Sequence, residues 1–335
     1  MSDIKKYEPL WGEWYVDSLV GQGSFSKVYK IRRETVDTIH YAAAKFISIL
    51  HDESDIQMMK KEGFDDDAMR EFLEAFARNI TFEIDLMREF SGNNYIVSFE
   101  DYQIIDKAAP PESPLPSSPI ASCNRAAPNI PLHSGRLPMG LDILIRMELL
   151  TSLANVVAGR ALSQAEVIQL GIHICRALEL CAQKKIIHRN IKPGNIFVSS
   201  DGGYKLGDFG IARQIEQTSS GLSKKGTNTY MAPEVFKFES YGSGADIYSL
   251  GMVMYSLLNQ NRVPFLPTYP QAIMPADKDA ALRRRMRGDD IPALRGVRPE
   301  LNSLVLKACA YSREDRFSGP AQMRERLEEM EGTVA

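Results

Sequence analysis

IIHRNIKPGNIFVSSDGGYKLGDFG, residues 186–210, and GTNTYMAPE, residues 226–234, decide how this chain is read. The first places His188, Arg189, Asn190, Lys192, Asn195 and Asp208 in one short span, and their meaning depends on what the chain builds on either side. Upstream, WYVDSLVGQG, SKVYKIRRE and HYAAAKFIS between Trp14 and Ile47 are short runs rich in β-branched and aromatic residues, broken by glycine or polar turns. They predict a small antiparallel sheet. Residues 65–90 change period, with Met69, Phe72, Phe76, Ile80, Ile84 and Met87 three or four apart behind an acidic start that suits a helix N-terminus. Two more strands are expected in NYIVSFEDYQII and LDILIRMELL. Between them, residues 106–140 hold eight of the chain's 18 prolines, a composition that forms neither helix nor central strand and is expected to be a disordered loop.

Downstream of residue 150 the pattern turns helical. Ser163 and Glu166 form a capping box ahead of Val167, Leu170, Ile174, Leu178 and Cys181, and further helices are expected near 245–259, 277–287, 299–310 and 319–331. Strands with one helix followed by a helical region predict an α+β protein with two lobes. The N-lobe is placed at 1–150, with a Pro-rich insert at about 107–140, and the C-lobe at 151–335.

The net charge of -3 comes from mixed acids and bases, so no global basic field draws in nucleic acid or an anionic membrane. MSDIKKYEPLWGEW lacks the apolar core of a signal peptide, and IYSLGMVMYSLL is too short to span a bilayer. A soluble, cytoplasmic chain is expected, with any membrane anchor of the full-length protein lying outside it. Cys123, Cys175, Cys181 and Cys309 have no metal-site spacing and read as structural thiols, and the five histidines form no ligand cluster.

Two signals precede the central stretch. GQGSFSKVY puts Gly21 and Gly23 in a turn between strands, where the missing Cβ lets backbone approach phosphate oxygens. Lys45 on the third strand and Glu83 on the long helix could form an ion pair that holds an ammonium against phosphate. Each alone is weak: a glycine pair is commonly just a turn, and strand lysines and helix glutamates are commonly surface charges.

The ordered set of Gly-rich loop, strand lysine, helix glutamate, HRNIKPGN, DFG and APE resembles the eukaryotic-type protein kinase superfamily, and HRNIKPGNIF with DIYSLGMVMYSLL is similar to the bacterial Ser/Thr kinases. The resemblance covers about residues 12–330 and implies a bilobal kinase fold, Ser/Thr specificity from Lys192, and the cofactors ATP and Mg²⁺, with Mn²⁺ as a substitute. It further implies that Gly21, Gly23 and the backbone around Phe25 cover the phosphates, with Ser26 in place of the third glycine, and that Lys45 pairs with Glu83. Val28, Ala43 and Phe197 would enclose the adenine, Met147 would be the gatekeeper, and Glu148 to Leu150 the hinge. Asn195 and Asp208 would bind the metal, and Lys192 would steady the γ-phosphate. His188 and Phe209 would be structural, as parts of a spine with Met87 and Phe99; Glu234 would pair with Arg316, and Asp246 would brace the catalytic loop.

The departure is Asn190, where the family has the aspartate that accepts the substrate proton. Its neutral carbonyl orients but does not take a proton, so an impaired kinase is expected. Two accounts stay open: a recent or introduced Asp→Asn change, favoured because the other catalytic positions are filled, and a nucleotide-binding pseudokinase acting as a signalling or scaffolding module. A chain with residual activity would take its in-line geometry from Asn190, Lys192 and Thr227. One of Thr218, Ser219, Ser220 or Ser223 is expected to be autophosphorylated and to pair with Arg189, with a homodimer as the arrangement for that reaction. Substrates would be proteins with Ser/Thr acceptors, since GTNTYMAPE shapes a polypeptide surface in this family.

Overall fold

The computed structural model describes residues 3–23, 26–50, 53–107, 140–209 and 228–331. It divides the chain into two compact units, the first running to Leu149 and the second starting at Leu150, with residues 94–96 belonging to the second. That small assignment has a local cause: Ile96 bridges to Leu206, whose amide donates to the Tyr95 carbonyl at 2.8 Å.

The first unit carries a five-stranded antiparallel sheet in the order β1-β2-β3-β5-β4. Its strands are β1 (Tyr15–Gln22), β2 (Ser26–Glu34), β3 (Ile39–Ile49), β4 (Phe99–Asp106) and β5 (Leu141–Met147). Directly opposed residues of neighbouring strands share a face. The register therefore sorts the unit into two surfaces. On one, Tyr29, Ile31, Ala42, Ala44, Phe46 and Leu144 close over Ile4, Leu10 and Trp14 of the N-terminal segment. On the other, Val28 lies opposite Lys45, Lys45 opposite Ile145, and Ala43 opposite Met147.

Two helices follow β3. The sequence reading has one, and the structure adds the short α1 (Glu53–Lys61) ahead of α2 (Asp66–Glu89). Residues 54–61 of α1 are all at least partly exposed, so the helix leaves no apolar period to read. The N-terminus of α2 is fixed by Asp65, whose carboxylate accepts the Ala68 amide at 2.8 Å, with Asp66 and Asp67 in the first turn. Its buried face runs through Met69, Leu73, Phe76, Ile80, Ile84 and Met87, so Leu73 takes the core position that periodicity assigned to the half-buried Phe72.

A buried carboxylate ties the sheet to its surroundings. Asp142, fully buried, accepts hydrogen bonds from Tyr7 Oη at 2.5 Å and Ser48 Oγ at 2.6 Å, and pairs with Lys6 at 2.9 Å and Lys107 at 3.1 Å. Burial pushes this carboxyl up, but the four partners together outweigh it and hold it below its usual range. Beside it the Lys107 amide donates to the Gly140 carbonyl at 3.1 Å, closing the ends of β4 and β5 at the root of the Pro-rich insert. Gly140 has φ +102°, and a Cβ there would lie 2.2 Å from the Ile49 carbonyl oxygen, so only glycine fits. The insert itself lies outside the described residues.

The second unit is mainly helical. It contains β6 (Thr151–Ser152), α3 (Leu153–Gly159), α4 (Gln164–Gln183), β7 (Ile196–Val198), β8 (Tyr204–Leu206), α5 (Pro233–Phe236), α6 (Gly244–Leu258), α7 (Pro275–Arg287), α8 (Pro299–Ala308) and α9 (Pro320–Glu331). The Ser163–Glu166 capping box opens α4, with the Glu166 amide donating to Ser163 Oγ at 3.2 Å and the Ser163 amide to Glu166 at 2.8 Å. Proline stands at the first position of α7, α8 and α9, where its missing N–H costs nothing. The apolar run IYSLGMVMYSLL lies in α6, which is buried from Ala245 to Leu257 as the central helix of this unit. Among the described residues no helix is long and apolar enough to cross a membrane. Cys175, Cys181 and Cys309 are buried free thiols, and burial pushes the latter two up to about 12. Cys123 lies outside the described residues.

Candidate functional site

In the first unit the Gly-rich turn joins β1 to β2, with Gly21 opposite Val28 and the Gly23 amide donating to the Ser26 carbonyl at 2.7 Å. A Cβ at Gly21 would make ordinary contact with Val28 at 3.8 Å, and one at Gly23 would meet Ser26 Oγ at 3.3 Å. Among the described residues packing leaves room for a Cβ at Gly21, and at Gly23 only the Ser26 side chain would have to give way. Lys45 and Glu83 are both buried, at 9% and 2% exposure. Burying a charge is costly without partners, so these two side chains need interactions within the protein to sit there. The register places Val28, Ala43, Lys45 and Met147 on one sheet face. The Glu148 carboxylate accepts the Ser98 amide at 2.5 Å while the Glu148 amide donates to the Ser98 carbonyl, which fixes the chain after Met147. Phe25 lies outside the described residues.

In the second unit, residues 188–195 form a loop held by its own backbone. The Asp246 carboxylate on α6 accepts the His188 and Arg189 amides, each at 2.8 Å. Burial pushes this carboxyl up to about 6, against the opposing pull of the two amides. Asn195 Nδ2 donates to the Asn190 carbonyl at 2.8 Å, and the Gly207 amide donates to the Asn195 carbonyl at 3.0 Å. This chain of bonds runs from the catalytic-type loop to the residue before Asp208. Asp208 and Arg189 have φ of +59° and +65°, a region that non-glycine residues occupy where the surroundings over-determine them. The bonds given to Asn190 pass through its main chain: its amide reaches His188 Nδ1 at 3.4 Å, and its carbonyl receives Asn195. Phe197 lies in β7, Leu150 opens the unit, and Lys192 precedes the 3-10 turn Pro193–Asn195.

His188 is fully buried, with its ring 5.0 Å from that of Phe209, and burial pushes its imidazole down to about 4. A neutral, enclosed histidine packs and is not a proton shuttle. Glu234 and Arg316 form a bidentate pair at 2.7 and 2.9 Å with both side chains buried. Arg316 spends its remaining donors on the carbonyls of Ala310, Gly244 and Tyr311 at 2.7, 3.0 and 3.0 Å. The Arg189 guanidinium stacks over Tyr241 at 5.3 Å, a partner nothing in the sequence pattern marks. Thr229 lies in a turn beside Asn228, whereas Thr218, Ser219, Ser220, Ser223 and Thr227 lie outside the described residues.

The family model described as protein kinase domain matches residues 120–328. The chain belongs to the protein kinase domain family. This kinase domain is similar to the serine/threonine-protein kinase PknB of Mycolicibacterium smegmatis, 35% identical over 164 residues, which is 47% of this chain and 25% of that protein. It is also similar to the PknB of Mycobacterium tuberculosis, 34% identical over 157 residues, covering 45% of this chain and 24% of the relative. A probable serine/threonine-protein kinase PknB of Bifidobacterium longum is 32% identical over 169 residues, or 49% and 24%. The matched region thus spans about a quarter of the length of these relatives.

Proposed function

We propose that this kinase domain transfers the γ-phosphate of ATP to serine or threonine hydroxyls of proteins, and that Asn190 lowers its rate. The observation that carries the reading is the intact loop of residues 188–195. Asp246 braces its start, Asn195 ties its middle, and position 190 contributes through its main chain. An aspartate at 190 has nearly the same shape and would enter this frame without disturbing it.

The metal has a fitting donor set. With Nδ2 of Asn195 committed to the Asn190 carbonyl, the side-chain oxygen is the atom left to ligate, and Asp208 supplies a carboxylate. Two hard oxygen donors suit Mg²⁺, which keeps waters and substrate phosphates in its shell and needs no cage of protein ligands. When bound, Mg-ATP supplies the phosphoryl group and neutralises charge on its oxygens. Lys45 and Lys192 would hold the phosphates, Gly21 and Gly23 would admit them close to the backbone, and Val28, Ala43 and Phe197 would enclose the adenine. Asn190 would orient the acceptor hydroxyl without taking its proton, a loss of about 10²–10⁴-fold in rate relative to a base. Asn190 is also the observation behind a second reading, a nucleotide-binding module that signals without transfer.

Transfer of labelled γ-phosphate to the chain itself and to a basic protein, compared between this chain and Asn190→Asp, tests the proposal. A rise of about 10²–10⁴-fold in the Asp form is expected. Nucleotide binding by both forms with transfer by neither would give the second reading the lead.

A further inference from the structure

Arg285 on α7 is an unusual residue to bury. It is 3% exposed, and its Nε and Nη1 make no hydrogen bond. Among the described residues no carboxylate pairs with it. Its Nη2 donates to the Asn228 carbonyl at 3.3 Å, and the Tyr248 phenol is a polar side-chain neighbour. The same carbonyl accepts the Met231 amide at 3.4 Å and so closes the turn Asn228–Met231 inside GTNTYMAPE. Burial pushes the phenols of Tyr230 and Tyr248 up; the Ser256 hydrogen bond and then the Arg285 charge draw Tyr230 partly back, and the Arg285 charge does the same for Tyr248.

A buried cation with no carboxylate partner, a long hydrogen bond to a carbonyl and the three N–H groups of Nε and Nη1 idle contributes little to stability, and an apolar side chain of similar volume would do at least as well there. Its use lies in the carbonyl it holds. We infer that Arg285 is a positioning residue that sets the Asn228–Met231 turn for the incoming acceptor polypeptide, at some expense to the fold. The acceptor half of this inference rests on the phosphotransfer reading; the conformational half does not. Arg316 offers the contrast within the same unit, since there all five donors are satisfied and a carboxylate is paired.

The test uses the full chain carrying Arg285→Met or Arg285→Lys, each with and without Asn190→Asp. Amide exchange followed by mass spectrometry is expected to quicken about 10-fold or more over residues 228–236 in Arg285→Met, with α6 unchanged and the melting temperature equal or higher. Arg285→Lys, whose ammonium can still reach the Asn228 carbonyl, should recover most of the protection. In the Asn190→Asp background the KM for a protein acceptor should rise about 10-fold in Arg285→Met while the KM for ATP holds. Unchanged exchange over 228–236, or a lowered melting temperature with exchange raised throughout the unit, overturns the positioning role. An unchanged acceptor KM in an active background overturns the acceptor half. If Asn190→Asp transfers no phosphate, the phosphotransfer reading and the acceptor half fall together, and exchange alone still decides the conformational half.

Discussion

Replacing Arg316 with lysine keeps the charge but removes the fork, and the structure gives the cost. Arg316 places five N–H groups on five acceptors, two on Glu234 and one each on the carbonyls of Ala310, Gly244 and Tyr311, at 2.7–3.0 Å. Lysine has three donors, so at least two buried acceptors lose their partner. At about 1–3 kcal/mol for each stranded group, the loss is about 2–6 kcal/mol. Arg316→Ala strands Glu234 itself, at about 3–5 kcal/mol for the broken buried pair, with the three carbonyl bonds lost in addition. For a unit of this size about 1 kcal/mol moves Tm by roughly 2–4 °C, so Arg316→Lys should melt roughly 4–24 °C lower. Far-UV ellipticity is the probe, because helices dominate this unit and both tryptophans, Trp11 and Trp14, lie in the other one. Glu234 adds a pH signature. Burial pushes its carboxyl up, but Arg316 outweighs that and holds it below the usual range. The pair's stabilisation is therefore full above the ordinary glutamate pKa and is lost as pH falls through the depressed one. The gap between wild type and Arg316→Ala should narrow in acid. A shift under about 2 °C for Arg316→Lys would refute the reasoning, since five satisfied donors would then carry no more weight than three.

Other outcomes follow from the same coordinates. His188, pushed down to about 4, binds its proton less readily folded than unfolded, so wild-type stability is lost as pH falls from about 6.5 towards 4. Asp246, pushed up to about 6, acts oppositely in the overlapping window and costs stability as pH rises through it. Urea titrations of His188→Phe should therefore show wild type gaining on the variant by up to roughly 3 kcal/mol between pH 4 and 6.5, and a constant difference would contradict this. Gly140→Ala should lower the stability of the first unit by about 2 kcal/mol or more, because its Cβ meets the Ile49 carbonyl at 2.2 Å; an unchanged tryptophan unfolding midpoint would argue against that clash. Exchanging residues 108–139 for a two-residue Asn-Gly turn should leave nucleotide affinity intact, since Lys107 and Gly140 already close the strands; a large loss by calorimetric titration would show that the insert takes part.

Legibility in the sequence followed how local the physics was. The capping box at Ser163, the acidic start of α2 and the prolines opening α7, α8 and α9 are set by residues a few positions apart, and their elements could be placed from the text. Helices α1 and α5 could not: α1 has no buried face, and α5 is four residues long. The packing of the segment ahead of Trp14 could not be read either, because Ile4 and Leu10 find their partners on strands far along the chain. At the candidate site the types of residue were legible from their order in the motifs. Their supports were not: the Tyr241 ring under Arg189, the Asn228 carbonyl on Arg285 and the four groups around Asp142 depend on pairings between residues far apart in the chain that no spacing rule encodes.

Asp142 has a consequence for how this chain can change over time. Lys6 and Tyr7 of the N-terminal segment, Ser48 of β3 and Lys107 at the root of the insert all answer to one carboxylate. A drift to alanine at any one of them leaves the others to hold a buried charge with fewer partners, and a neutral residue at Asp142 releases all four at once. These five positions are therefore energetically coupled, so that the segment ahead of the sheet and the anchor of the insert, distant in the text, do not change independently of one another.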